Sequence, residues 1–295
     1  MPQGVELVAE PEPDVDFVVL SPDISERLPA IFDELPQLRV IQSLSAGVDW
    51  LLPKVPPGIV VCRAVGVHDL PVSEWVVAAI LSMQRRLPAF VELQQRAEWN
   101  RDIAEGAKDF VHPIEDLEGK VVLVVGYGGI GRAVAARLAP FGAHVVGVAR
   151  HQRDDARSSD DLPQLLPDAD IVINLLPLTP GTEKFMDSRF IAQMKTGALL
   201  VNAGRGRTVD TDALLAALEA GRIRAALDVT DPEPLPSGHP LWHAPNVLIT
   251  PHIAGTVAKW EERAYRFAGE QIRRYAAGRP LLGIEAGNMS VSPRT

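Results

Sequence analysis

The chain has 295 residues, enough for one large or two ordinary domains, and its 46% apolar and 23% charged residues suit a buried core that needs no crosslinks. Lys and Arg number 29 against 38 Asp and Glu, a net charge of −9 that argues against broad nucleic-acid or anionic-membrane binding, and the lone Cys62 excludes an internal disulfide. No apolar run approaches the roughly 18 residues of a membrane helix, and MPQGVELVAEPEPDVD is acidic where a secretory leader is basic and apolar, so a cytoplasmic protein is expected. Short Val- and Ile-rich runs alternate with helical stretches, the pattern of parallel sheets covered on both faces. Strands are predicted at 5–8, 17–20, 38–41 and 59–62, with a helix at 24–35. Residues 72–97 read as one long helix or a pair interrupted at Pro88, and 100–113 as an irregular arm. A second series has strands at 121–125, 145–148, 170–174, 198–202, 225–229 and 247–250. Its helices are expected at 130–138, 160–165, 188–194 and 211–219, with a last one at 257–277. The Pro-rich stretch DPEPLPSGHP, 231–240, is a loop of the kind that carries function.

In VVLVVGYGGIGRAVAARL, Gly126, Gly128 and Gly131 form a G-x-G-x-x-G between a predicted strand and a predicted helix. The first glycine permits the tight turn, the second lets backbone approach a pyrophosphate, and the third allows close packing of helix on strand. The helix start then offers N–H groups and a positive dipole end to the anion. About 20 residues further on, a dinucleotide fold ordinarily places an acid for the adenosine ribose. Here the strand HVVGVA ends in Arg150, followed by His151, Arg153 and Arg157. A guanidinium binds a 2′-phosphate that a carboxylate would repel, so NADP is expected in preference to NAD. The alternative is a solvated basic loop neutralised by Asp154 and Asp155.

Of seven histidines, only His252 follows directly on an apolar strand, in NVLITPHIAG. That puts it at the carboxyl edge of a parallel sheet, where such sheets bind ligands. An imidazole there suits proton exchange near neutral pH, although a structural His at a strand end is the competing reading. Arg205, between Gly204 and Gly206 in NAGRGRTVD, and Glu233, in the loop after AALDV, fall at the same kind of edge. A surface cation and a solvated acid are their ordinary alternatives, but three such groups at strand ends suit reduction of a carbonyl next to a carboxylate. His252 supplies the proton, Arg205 binds and polarises the substrate, and Glu233 supports the charged imidazole. No G-x-S-x-G nucleophile motif and no metal-ligand spacing is present.

Over residues 40–260, GYGGIG, INLLPLT, NAGRGRTVD, ALDVTDPEPLP and NVLITPHIAG occur in the order of the D-isomer-specific 2-hydroxyacid dehydrogenase family, which the chain resembles. The resemblance implies two doubly wound α/β domains, a Rossmann cofactor domain at 72–256 and a flavodoxin-like substrate domain from 1–71 and 257–295, with the active site in the cleft. It implies catalytic roles for Arg205, Glu233 and His252. In SLSAGVD it implies that N–H groups near Ala46, Gly47 and Val48 hold the substrate carboxylate. Cofactor contacts carry over to Gly129, Ile130, Leu176, Pro177, Ala203, Gly204, Asp228, Ala254 and Gly255. A homodimer through the cofactor domain is implied, with the arm at 100–113 either its interface or a mobile loop. Arg150 replaces the family's common ribose-binding Asp, as in its NADP-using glyoxylate and hydroxypyruvate reductases. Glu233 stands where formate dehydrogenases carry Gln, which disfavours formate. A small 2-keto acid such as glyoxylate or hydroxypyruvate is therefore the expected substrate. An NAD-dependent phosphoglycerate-type dehydrogenase and a dinucleotide-sensing corepressor-like protein are the alternatives.

Overall fold

A computed structural model describes residues 5–24, 27–101 and 114–286. They fall into two compact units, one from within 1–68 and 256–295, the other from within 69–255. The first unit opens with β1 (Phe17–Leu20), α1 (Leu28–Glu34), β2 (Val40–Ser43) and β3 (Val60–Cys62), and its three strands are parallel. Residues 5–8, expected as a strand, are not one. β1 is the edge of its sheet, so residues 5–8 do not add a strand beyond it, and Leu7 is left 66% exposed. The predicted helix at 24–35 is shorter, starting at Leu28 behind a 3-10 turn at Pro22–Ile24.

The second unit begins with α2 (Asp69–Gln84) and α3 (Leu87–Gln95). The break between them falls at Arg86, which adopts φ 54°, and Pro88 sits in the first turn of α3, where a missing N–H costs nothing. Most of the expected arm, 102–113, lies outside the described residues. Then come β4 (Val121–Val125), α4 (Gly129–Leu138), β5 (His144–Ala149), β6 (Arg157–Ser158), α5 (Leu162–Leu165), β7 (Ile171–Asn174), α6 (Ser188–Gln193), β8 (Leu199–Asn202), α7 (Thr211–Glu219), β9 (Arg224–Leu227) and β10 (Val247–Ile249). All seven strands are parallel, in the order β10-β9-β8-β7-β4-β5-β6. Successive connections leave β4 first toward β6 and then toward β10, which makes the crevice between β4 and β7 a switch point. Alternate β4 residues feed opposite cores: Leu123 and Val125 pack with Phe190 and Leu214, while Val122 and Val124 pack with Val76 and Val134.

The chain closes with α8 (Trp260–Ala276) and β11 (Ile284–Ala286), a strand absent from the sequence reading. β11 pairs antiparallel with β3 and completes the first unit's sheet, otherwise parallel, as β1-β2-β3-β11. Fully buried Gln271 fastens this return: its Nε2 donates to Gln42 Oε1 at 2.9 Å and to the Leu282 carbonyl at 2.8 Å, while its Oε1 accepts from Leu282 N at 3.0 Å. Tyr275 Oη adds a 2.7 Å hydrogen bond to Asp16 Oδ2. Replacing Gln271 by Leu strands the amide oxygen of Gln42 inside the core. Urea unfolding of Gln271→Leu is expected to show a loss of about 2–4 kcal/mol, and an unchanged midpoint would refute this account of how the chain's end is held.

Candidate functional site

The glycine-rich turn lies at the carboxyl edge of β4. Gly126 has φ 94°, a region that favours glycine, and a Cβ on it would stand 2.7 Å from the Leu175 carbonyl carbon. The N–H groups of Gly126 and Tyr127 donate to the Val148 carbonyl at 3.0 and 2.9 Å, which ties the turn to β5. A Cβ on Gly128 would have nothing nearer than 3.9 Å, so this side of the turn is open to a ligand; one on Gly131 would press at 3.2 Å on Val124. The turn thus has the shape a pyrophosphate requires, and the first N–H groups of the ten-residue α4 have no partners inside their own helix. Ile130 packs part-buried beneath it. Leu176 and Pro177 follow β7, and a Cβ on Gly204 would come within 2.8 Å of the Leu176 carbonyl oxygen, so the turns after β4, β7 and β8 adjoin. Ala203 is part-buried on the same edge. The residues present therefore fit a dinucleotide.

Arg150 is exposed just beyond β5, and among the described residues its guanidinium has no hydrogen bond or ion pair. Exposed His151 is likewise unengaged among them. Arg153 behaves differently, its Nη2 donating to the Tyr127 carbonyl at 2.5 Å, which ties the basic loop to the glycine-rich turn. Of the two acids considered as neutralisers, Asp155 contacts Arg132 at 2.7 Å and Arg153 at 3.5 Å. The Arg132 hydrogen bond holds the Asp155 carboxyl below its ordinary range. Arg157 is taken up by Asp161 at 2.8 Å.

The edges of β8, β9 and β10 carry the three expected polar groups. His252 Nδ1 and Glu233 Oε1 lie 2.5 Å apart. That hydrogen bond raises the His252 pKa above its usual value, against desolvation and the nearby Arg205 charge, both of which lower it. Both partners keep access to solvent, the side chains being 49% and 39% exposed. Arg205 directs Nη1 to the Gly204 carbonyl at 2.9 Å, and a Cβ on Gly206 would overlap the Thr230 carbonyl, so no larger residue fits beside it.

Asp228, which the resemblance implied as a cofactor contact, has both carboxylate oxygens occupied within the protein. Oδ1 accepts from Thr250 Oγ1 at 2.6 Å and Ile253 N at 2.9 Å, and Oδ2 accepts from Ala254 N at 2.9 Å. Its own carbonyl accepts from His252 N at 2.7 Å. These bonds fold the 250–254 turn, in which His252 takes φ 54°, an unfavourable region for a residue with a Cβ. Ala254 is buried under the turn and Gly255 follows it.

Several residues that shape this edge escaped the sequence reading. Buried Asn174 donates to Asn202 Oδ1 at 3.1 Å and Thr208 Oγ1 at 2.6 Å; Thr208 Oγ1 and Asn202 Nδ2 in turn donate to the Arg205 carbonyl at 2.6 and 3.2 Å. The available signal was that the apolar runs IVIN and LLVN both end in Asn. Cys62, by contrast, is buried in β3, where desolvation pushes its thiol up to about 12 and leaves it unreactive. Among the described residues no group of three His, Cys, Asp or Glu could hold a metal ion, and no helix is long and apolar enough to cross a membrane.

In the other unit, Ala46, Gly47 and Val48 follow β2, and their N–H groups make no hydrogen bond among the described residues. The Val48 side chain is buried in that unit's core, and Trp50 Nε1 donates to the Gly47 carbonyl at 3.2 Å, so the loop is anchored with its N–H groups uncommitted.

Residues 77–254 match the family model described as D-isomer specific 2-hydroxyacid dehydrogenase, NAD binding domain. A glyoxylate reductase of Thermofilum pendens is 34% identical over 82% of this chain and 73% of its own length. A D-3-phosphoglycerate dehydrogenase of Methanocaldococcus jannaschii is 32% identical over 84% of this chain, which spans only 47% of that longer protein. Among solved structures, a D-isomer specific 2-hydroxyacid dehydrogenase from Xanthobacter autotrophicus Py2, in complex with NADPH and MES, superposes with a TM-score of 0.78 at 33% identity, over 95% of this chain and 87% of that one. The chain therefore belongs to the D-isomer specific 2-hydroxyacid dehydrogenases, two-domain enzymes that work with a nicotinamide dinucleotide.

Proposed function

We propose that the protein is an NADP-preferring reductase of small 2-keto acids, with glyoxylate and hydroxypyruvate its first candidates. The observation that carries this reading is the His252–Glu233 pair beside Arg205, on the edge that also bears the glycine-rich turn. The nicotinamide, when bound, supplies the hydride that adds to the keto carbon. His252, kept protonated by Glu233, gives its proton to the oxygen that becomes the hydroxyl. Arg205 polarises the carbonyl and binds the negative charge of the acid, and the N–H groups of Ala46, Gly47 and Val48 donate to the substrate carboxylate. Gly126, Gly128, Gly129, Ile130 and Gly131 hold the pyrophosphate. Leu176, Pro177, Ala203, Gly204, Ala254 and Gly255 line the dinucleotide, with Asp228 acting on it through the turn it folds. A cytoplasmic location completes the proposal, since the lone thiol needs no oxidising compartment.

The pH dependence of reduction follows from the pair. A raised His252 pKa keeps the imidazolium populated below that value and depletes it as pH rises through it. The kcat/KM for glyoxylate reduction is therefore expected to stay level past the ordinary histidine range and then fall. Glu233→Gln removes the carboxylate, so the falling limb moves to lower pH; a limb that stays put would remove Glu233 from this role. His252→Ala and Arg205→Ala are each expected to lower turnover at least about 100-fold.

NADP preference is supported by Arg150, which has no ion pair among the described residues, with His151 and Arg153 beside it. Absorbance assays with NADPH and NADH against glyoxylate, hydroxypyruvate, pyruvate and 3-phosphohydroxypyruvate are expected to favour NADPH and the unphosphorylated acids. Arg150→Asp should lower the NADPH-to-NADH efficiency ratio by at least about tenfold. Best turnover of NADH with the phosphorylated acid would instead establish the phosphoglycerate-type alternative.

Assembly as a homodimer through the unit of 69–255 is part of the same proposal. It is supported by Leu87 and Val91 on one helix, 48% and 50% exposed, and by Trp99 beyond it at 95%. Light scattering should give twice the chain mass, and Val91→Asp combined with Trp99→Ser the single-chain mass.

A further inference from the structure

We propose that Asp69 is an electrostatic brake on dinucleotide binding, its carboxylate competing with the pyrophosphate for the positive end of α4. The inference rests on the reading that the glycine-rich turn holds that pyrophosphate.

Asp69 opens α2, which packs against α4 through Val72, Val76 and Ile80 on one side and Val134 and Leu138 on the other. This packing brings the part-buried Asp69 carboxylate onto Gly129, the first residue of α4. A Cβ on Gly129 would overlap Asp69 Oδ2 and stand 3.0 Å from its Cγ and 3.1 Å from Oδ1. The neighbouring glycines differ in kind, Gly126 being crowded by Leu175 backbone and Gly131 by Tyr127 and Val124 side chains. Only at Gly129 is the object against the turn an anion.

In the free protein, a carboxylate beside a helix N-terminus is favourable, because it faces the positive dipole end. Once a pyrophosphate arrives at the first N–H groups of α4, two anions share one positive end. Part-burial limits the screening between them. Arg153, tied to the Tyr127 carbonyl, is a nearby cation, while Arg132 is already committed to Asp155. Asp69 thus stabilises the free turn and weakens the loaded one, which lowers affinity for the dinucleotide and favours its release. Because the pyrophosphate is common to both cofactors, the effect falls equally on NADP(H) and NAD(H), unlike that of Arg150.

Binding of NADPH and NADH to the full chain, followed by nicotinamide fluorescence at low and high ionic strength, tests this with Asp69→Asn and Asp69→Ser. Both variants are expected to lower the Kd for both cofactors about three- to tenfold, with the ratio between the cofactors unchanged. The gain should shrink at high salt, which a purely structural change would not produce, and the free variants should melt below the wild type. An unchanged or higher Kd in both variants, with the wild type binding normally, overturns the brake. Failure of the wild type to bind either cofactor overturns the reading of the turn itself.

Discussion

The parallel, in-register pairing of β4, β7, β8 and β9 is the constraint on which the candidate site depends. Val125 stands opposite Asn174, Asn174 opposite Asn202, and Asn202 opposite Leu227. Strands that run the same way and stop at the same level deliver every following turn to one edge. The glycine-rich turn, Leu176, Arg205, Glu233 and His252 are far apart in sequence and come to one edge because these strands, with β10 beside β9, all run the same way. Burial holds the register, because a slip of one residue would turn each strand's alternate apolar side chains toward the wrong core.

An edge rich in turns leaves backbone groups unpaired, and the protein meets that need with short buried polar side chains. Asn174, Asn202 and Thr208 bind the carbonyls and N–H groups around Arg205 and Leu176. Asp228 does the same for residues 250–254 with a full negative charge, 2% exposed and accepting three hydrogen bonds. Such a charge is tolerable only when its lone pairs are used. The left-handed backbone at His252 costs about 1–2 kcal/mol, and the Asp228 bonds offset it. Asp228 therefore shapes the backbone from which the imidazole projects, while Glu233 holds the ring itself.

Much of this was legible in the sequence, and the rest was hidden for physical reasons. The β/α alternation was readable because both faces of each parallel strand are covered, leaving uninterrupted runs such as VVLVV. Gly126, Gly128 and Gly131 were readable because steric exclusion at a turn is a property of residue type. β11 was not, since a three-residue edge strand takes its pairing from β3, more than 200 positions away in the chain. Residues 5–8 had the composition of a strand but no neighbour. Asp228 was placed at the site through family resemblance, whereas its hydrogen-bonding role depends on a turn that local pattern does not encode. Asp69 was overlooked because its importance comes from the packing of α2 on α4, which no spacing within either helix reveals.

The net charge of −9 says little about how this protein handles anions. Arg150 and Arg153 stand at one strand end and Arg205 at another, and the carboxylates of the chain engage them unequally. Asp155 engages Arg132 and Arg153 and not Arg150. Glu233 engages His252 rather than Arg205, so the negative charge is used to hold a proton and the positive charge stays near it. Arg205 acts against that proton, lowering the same pKa that Glu233 raises. The two groups thus push the His252 pKa in opposite directions, with the Glu233 hydrogen bond the larger influence. On the proposed function, an anionic substrate beside Arg205 would weaken that opposing influence and raise the His252 pKa further, which would couple binding to protonation through three side chains at successive strand ends.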